Sequence, residues 1–166
     1  MKLLLKKDRT ELASIFNTPF DGDWLTKEED GLYQPRDAYP IITNERPVKL
    51  QAISWGFPLY LDDNQTMLKT ISEVGIEWVL DKPMFECITN KRCLVPFELD
   101  NHLLYGAGVW EVFTGKKGKQ IKHFTLLTTP STKLKQRIPY VLDGVKYKKW
   151  LGDKELTKSD LKDLFK

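Results

Sequence analysis

The sequence predicts an α+β fold, built on a curved, mainly antiparallel sheet or open barrel with short flanking helices, on three observations. Stretches with strand character outnumber helical ones and do not alternate with them, which excludes a doubly wound parallel sheet. Two apolar runs, Leu103 to Phe113 and Lys122 to Thr129, flank a glycine-containing turn at Gly115-Lys116-Lys117-Gly118-Lys119, the pattern of a β-hairpin. The helical patterns are short, one near the N-terminus, a brief one after Asp81 and two closing the chain.

Taken in order, Asp8 and Glu11 have the spacing of a capping box, and Leu12, Ile15 and Phe16 follow at helical intervals. This predicts a helix from about Thr10 to Phe16. Pro19, Pro35, Pro40 and Pro47 interrupt the next thirty or so residues. That segment reads as loops carrying short strands near Leu32-Tyr33 and Tyr39 to Ile42. Val48 to Trp55 suits a strand that enters the core, and residues 62–76 are expected to be loop, with a helical turn at most. Asp81-Lys82-Pro83 opens a brief helix bearing Phe85, Cys87 and Ile88. Arg92 to Val95 then reads as a buried strand. Helices near Lys146 to Leu151 and Thr157 to Phe165 close the sequence, the second capped by Thr157.

With 166 residues, 41% hydrophobic and 30% charged, the chain has the size of one domain over residues 1–166, and its composition excludes disorder. No apolar run is long enough to span a membrane, and the short Met1 to Lys7 stretch is no signal peptide. Cys87 and Cys93 cannot form a disulfide framework, and with His102 and His123 they match no zinc spacing. A reduced, cytoplasmic protein without metal or cofactor is expected. The net charge of +3 hides an asymmetry: residues 1–115 hold 12 Lys and Arg against 18 Asp and Glu, whereas residues 116–166 hold 14 against 5. The basic C-terminal third either attracts nucleic acid or merely solvates a turn and two helices.

Several short segments, in this order, carry a family resemblance. They are Ala38-Tyr39-Pro40, Ser54-Trp55-Gly56-Phe57-Pro58, Glu77 with Lys82-Pro83 and Phe85, Arg92-Cys93-Leu94-Val95-Pro96, Ala107-Gly108-Val109-Trp110-Glu111, Phe124 to Thr129, Arg137-Ile138-Pro139 and Trp150-Leu151. Across residues 2–151 the chain resembles the SOS response-associated peptidase (SRAP) family, whose members cross-link to abasic sites in single-stranded DNA. The resemblance implies a single SRAP-like domain presenting a positively charged groove to single-stranded DNA.

Family members expose a cysteine directly after the initiator methionine, and its amine and thiol close a thiazolidine ring on the abasic aldehyde. Here that position is Lys2. The family's Asn-Ala-Arg-x-Glu stretch, which binds the opened sugar and its phosphates, is matched by Glu73-Val74-Gly75-Ile76-Glu77, so only the final Glu77 is kept. A carboxylate replaces the amide, and the phosphate-binding guanidinium gives way to glycine. The strand carrying the family's acid/base glutamate is expected to be deleted between Pro96 and Gly108. The family's histidine before its Arg-Met-Pro motif is matched by Lys135. The polar site is substituted while aromatic, glycine and proline positions persist.

Three functions remain open. The first is non-covalent binding of single-stranded or damaged DNA, with Pro40, Trp55, Lys135 and Arg137 as contacts: Trp55 by base stacking, Arg137 by a phosphate fork. Burial of Trp55 and a structural ion pair of Arg137 are the plainer alternatives. The second is a phage or mobile-element module that binds a protein partner. The third is an abasic-site lyase or cross-linker in which Lys2 condenses with the aldehyde as a Schiff base. His102 and His123 have no evident Ser, Cys or carboxylate partner nearby in sequence, so a triad peptidase is not supported. Lys116, Lys117, Lys119 and Lys122 read as a solvated turn.

Overall fold

Residues 1–27, 30–60 and 67–166 are described by a computed structural model. Among them the chain forms β1 (Leu3–Leu4), α1 (Arg9–Phe16), β2 (Phe20–Asp21), β3 (Leu32–Tyr33), β4 (Ala38–Thr43), β5 (Lys49–Trp55), β6 (Phe57–Tyr60), β7 (Met67–Ile71), β8 (Glu73–Gly75) and α2 (Ile76–Val79). A 3-10 segment, Pro83–Thr89, leads to β9 (Arg92–Leu99), β10 (His102–Thr114), β11 (Gln120–Ser131), β12 (Gln136–Pro139), α3 (Gly144–Trp150) and α4 (Lys158–Leu164).

The main sheet runs β12-β11-β10-β9-β4-β5-β2. Strands β9, β10 and β11 are antiparallel neighbours, as the hairpin signal predicts, and Trp110 on β10 is only 7% exposed. The sheet does not stay open. β5 reaches round to pair in parallel with β11, Ser54 opposite His123 and Trp55 opposite Phe124, which closes a five-stranded barrel from β11, β10, β9, β4 and β5. A barrel without free edges at this seam leaves fewer backbone groups unpaired.

Inward alternation fills the interior with rings. Tyr39, Trp55 and Phe124 lie fully buried with centroids 6.1–6.2 Å apart, and Tyr33 packs edge-on to Tyr39 at 4.9 Å. These offset and tilted geometries suit aromatic quadrupoles. The chain leaves β5 through Gly56, whose φ of 115° and near approach to Thr70 Cγ2, 1.9 Å from where a Cβ would sit, admit no side chain.

The capping box predicted for the first helix is present, with the Glu11 amide donating to Asp8 at 2.8 Å and the Asp8 amide to Glu11 at 2.8 Å. Thr157 likewise caps α4. Three expectations need correction. Of residues 62–76, expected as loop, 62–66 lie outside the described residues, whereas Met67–Ile71 pairs with β6 as a two-stranded ribbon and Glu73–Gly75 pairs in parallel with β11. Neither strand shows strong periodicity because each is fixed by a neighbour's hydrogen-bonding edge. The strand expected to end at Val95 continues to Leu99: pairing with β4 involves only Cys93 and Leu94, so Pro96 needs partners on one side alone. Finally, Lys122 is no turn residue. It lies on β11, partly buried, with Nζ 2.5 Å from Glu45 Oε1.

Candidate functional site

β12 pairs with the far end of β11, Arg137 opposite Pro130, and this register sets the Arg137 side chain against Thr128. Its Nε donates to Thr128 Oγ1 at 2.9 Å, and Nη2 donates to the Thr128 carbonyl at 2.9 Å. From α2, Glu77 completes a two-pronged ion pair, accepting from Nη1 at 2.7 Å and from Nη2 at 2.9 Å. The Arg137 bonds hold the Glu77 carboxyl below its ordinary range, and Glu77 in turn raises the Arg137 guanidinium. One residue on, the Trp78 ring stacks on the guanidinium, 5.0 Å from Cζ to centroid. Gly75 makes this arrangement possible: a Cβ there would lie 2.5 Å from Arg137 Nη2, 2.7 Å from Glu77 Oε2 and 2.7 Å from Trp78 Cε3.

A groove of about 280 Å³ runs between the N-terminal segment and β12. Five of its lining residues, Met1, Leu32, Leu99, Leu134 and Val141, are apolar side chains left 38–44% exposed. Its charged lining is mixed, Lys2 and Arg137 against Glu98 and Asp100. Glu98 is already engaged, since its carboxylate accepts the Lys6 amide. The groove is thus concave and mainly apolar with a few polar groups at its edges, the make-up of a binding pocket.

Of the residues singled out from sequence, the groove brings together Lys2 and Arg137. Lys135 is exposed on the turn before β12, with a left-handed φ of 51°. Pro40 and Trp55 are elsewhere. Pro40 is buried in β4 opposite Ala52, and Trp55 is fully buried with its indole N–H donating to the Ser72 carbonyl at 2.9 Å. A ring packed on Tyr39 and Phe124 offers no face to a base, so in this conformation both residues serve the barrel. Cys87 and Cys93 are buried as well, and burial, with Glu111 adding to it, pushes the Cys87 thiol up to about 12. Burial also raises Cys93 well above the usual thiol range.

No lysine of the basic C-terminal third lines the groove, and several of its cations are paired: Lys122 with Glu45, Lys149 with Asp160 and Lys166 with Asp163. His123 Nδ1 donates to the Gly56 carbonyl at 3.0 Å. Among the described residues no group of three or more His, Cys, Asp or Glu side chains is placed to hold a metal ion, and no helix is long and apolar enough to cross a membrane. Sequence reasoning missed Trp78 and the apolar groove. Trp78 directly follows the retained Glu77, but sequence alone did not show which of five tryptophans faces water.

A closed five-stranded barrel with short helices and a groove beside its N-terminal strand defines the class of protein. Residues 97–166 match the family model described as SOS response associated peptidase (SRAP), a segment that includes Lys135 and Arg137 and excludes Lys2, Pro40, Trp55 and Glu77. The fold is shared with a protein from Bacteroides thetaiotaomicron (TM-score 0.79, 20% identity, covering 99% of this chain and 85% of that one). It is also shared with a protein from Bordetella bronchiseptica (0.70, 17%, covering 98% and 90%) and a phage-related protein from the same organism (0.69, 14%, covering 98% and 86%). No curated protein matches. The SRAP model covers 70 of the 166 residues, from the end of β9 to the closing helices, while the fold is shared with the solved structures over nearly the whole chain.

Proposed function

We propose that this SRAP domain binds single-stranded or damaged DNA non-covalently, in the groove beside Met1. The observation that carries this reading is the groove itself. Its apolar floor suits an unstacked base or a base-free sugar, and Lys2 and Arg137 at its edge, with Lys135 on the neighbouring turn, suit a phosphate backbone. Thiazolidine chemistry is not part of the reading: Lys2 carries no thiol, and both cysteines are buried with their thiols held protonated.

Because few unpaired cations adjoin the groove, the expected affinity is modest and the dependence on salt shallow, with little sequence preference. The test is titration of fluorescent single strands across a salt series. In parallel, an abasic oligonucleotide is incubated with the protein, with and without borohydride, and run on a denaturing gel. Non-covalent binding predicts a salt-dependent titration and no gel shift without borohydride. A shift that needs borohydride and is lost in Lys2→Ala supports instead a lyase working through the Lys2 amine, because an imine reverses in water until it is reduced. A second reading, a protein partner, is favoured by one feature, the five exposed apolar side chains in the groove. Absence of DNA binding at low salt transfers the assignment to that reading.

A further inference from the structure

Of the five tryptophans, Trp24, Trp55, Trp110 and Trp150 are at most 7% exposed, whereas Trp78 is 53% exposed. It is not a loosely hung surface ring. One face rests on the Arg137 guanidinium, whose Nη1 and Nη2 are clamped by Glu77 and whose Nε is held by Thr128, and Gly75 supplies the space in which ring and cation meet. No other ring contact and no hydrogen bond to its indole N–H occurs among the described residues. Arg137 also lines the groove beside Met1, so the platform and the groove share a side chain.

We infer that Trp78 is a stacking platform for one unpaired nucleobase of a single strand whose neighbouring nucleotide occupies the groove. This inference rests on the binding reading above and deepens it. A flat ring immobilised from below and open above binds a base with little loss of side-chain freedom, and it accepts any base because each has a π face. The cation beneath also draws electron density from the indole, which favours offset stacking on an electron-rich purine. The base-stacking role expected of Trp55 thus moves to a tryptophan that water can reach.

The experiment titrates oligo(dT) and oligo(dA) into wild type, Trp78→Ala and Trp78→Phe, reading both fluorescence anisotropy of a labelled strand and quenching of intrinsic tryptophan emission, each across a salt series. Trp78→Ala is expected to weaken binding by about 5- to 150-fold, the range for loss of one base–aromatic stack. It should also abolish most of the quenching and leave the salt slope unchanged, because stacking releases no counterions. Trp78→Phe is expected to keep most of the affinity. Circular dichroism and thermal melting verify that the variants fold, which exposure of the ring leads one to expect. If wild type binds and Trp78→Ala binds equally well, the platform is refuted while the groove reading stands. If wild type fails to bind either strand at low salt, both are refuted.

Discussion

Replacing Arg92 by methionine keeps most of the buried stem and removes every donor of the guanidinium. Arg92 is fully buried at the start of β9 and has no carboxylate partner among the described residues. Its hydrogen bonds all go to carbonyls, Nε donating to Trp150 at 2.7 Å, Nη2 to Gly152 at 2.9 Å and Lys154 at 3.0 Å, and Nη1 to Thr89, and its Cζ lies 5.8 Å from the centroid of the Trp150 ring. Burial, with nearby Arg46 adding to it, pulls the group down to about 10, so it stays charged at neutral pH. The guanidinium therefore ties the chain after α3 to the barrel. Gly152 and Lys154 lie on partly or fully exposed chain and regain water when the donor is lost, and the Thr89 carbonyl keeps the Leu156 amide at 2.9 Å, which leaves the carbonyl of buried Trp150 as the acceptor that loses its partner. One buried acceptor left unsatisfied at about 1–3 kcal/mol gives about 2 kcal/mol of destabilisation. In a chain of this size that is a fall in Tm of about 4–8 °C. Arg92→Lys should fall between wild type and methionine, because one ammonium cannot serve carbonyls on separate segments. Urea unfolding with an unchanged slope and a lower midpoint is the expected result. A loss below about 0.5 kcal/mol for methionine, the size of an ordinary surface effect, would refute the anchoring role.

Gly56→Ala forces a side chain into a left-handed φ of 115° and into contact with Thr70, and a loss of about 2 kcal/mol or more is expected by thermal melting, with no rescue by Thr70→Ser because the backbone strain remains. His123 is lowered from its ordinary value by burial, which outweighs the bond to the Gly56 carbonyl. The unfolded chain therefore binds the proton first as pH falls below about 6.5, so stability should drop on going from pH 7.5 to 5.5, and His123→Gln should flatten that profile in urea midpoints. Glu77→Gln frees Arg137 from its charge partner; single-strand affinity should rise a few-fold and the salt slope steepen by about one, while unchanged or weaker binding would assign Glu77 to holding the guanidinium in its working pose. The same variant should lose little stability, under about 1 kcal/mol, since the pair is partly exposed and screened by solvent.

The barrel was legible in the sequence where local signals and packing agree. The capping box at Asp8, the turn at Gly115 to Lys119 and the apolar runs of β5, β10 and β11 each follow from a pattern or a turn chemistry that the chain writes locally. What closes the barrel is not written that way. The parallel contact between Ser54-Trp55 and His123-Phe124 joins residues far apart in sequence and involves only two register pairs. The short strands β1, β2, β8 and β12 take their identity from the edges they meet, whereas β3 at Leu32–Tyr33 was readable, and Gln136–Pro139 carries no period long enough to read. The site was less legible still. Arg137 was visible as a motif residue, but its partner Glu77 lies 60 positions away, and whether the guanidinium faces phosphate or carboxylate is a question of tertiary register.

Gly75 ties these points together. The family resemblance assigns an arginine to this position, and its loss reads at first as the removal of a phosphate contact. The geometry gives the glycine a positive role, because the volume a side chain would fill is occupied by Arg137, Glu77 and Trp78. Two of the three blocking atoms are the ends of flexible side chains and could move aside, but Trp78 Cε3 belongs to a rigid ring. A side chain at position 75 therefore has to turn the ring off the guanidinium before it can be accommodated. The backbone of Gly75 is unstrained, pairing with Thr128 in parallel register, so its glycine identity is not demanded by the turn into α2. It is demanded by the surface above it. With glycine at position 75, the cation of this corner is Arg137 on β12, paired by Glu77 and covered by the Trp78 ring. If Trp78 is the stacking platform inferred above, this corner adds affinity without releasing counterions, which is why the salt series separates its contribution from that of Lys2 and Lys135.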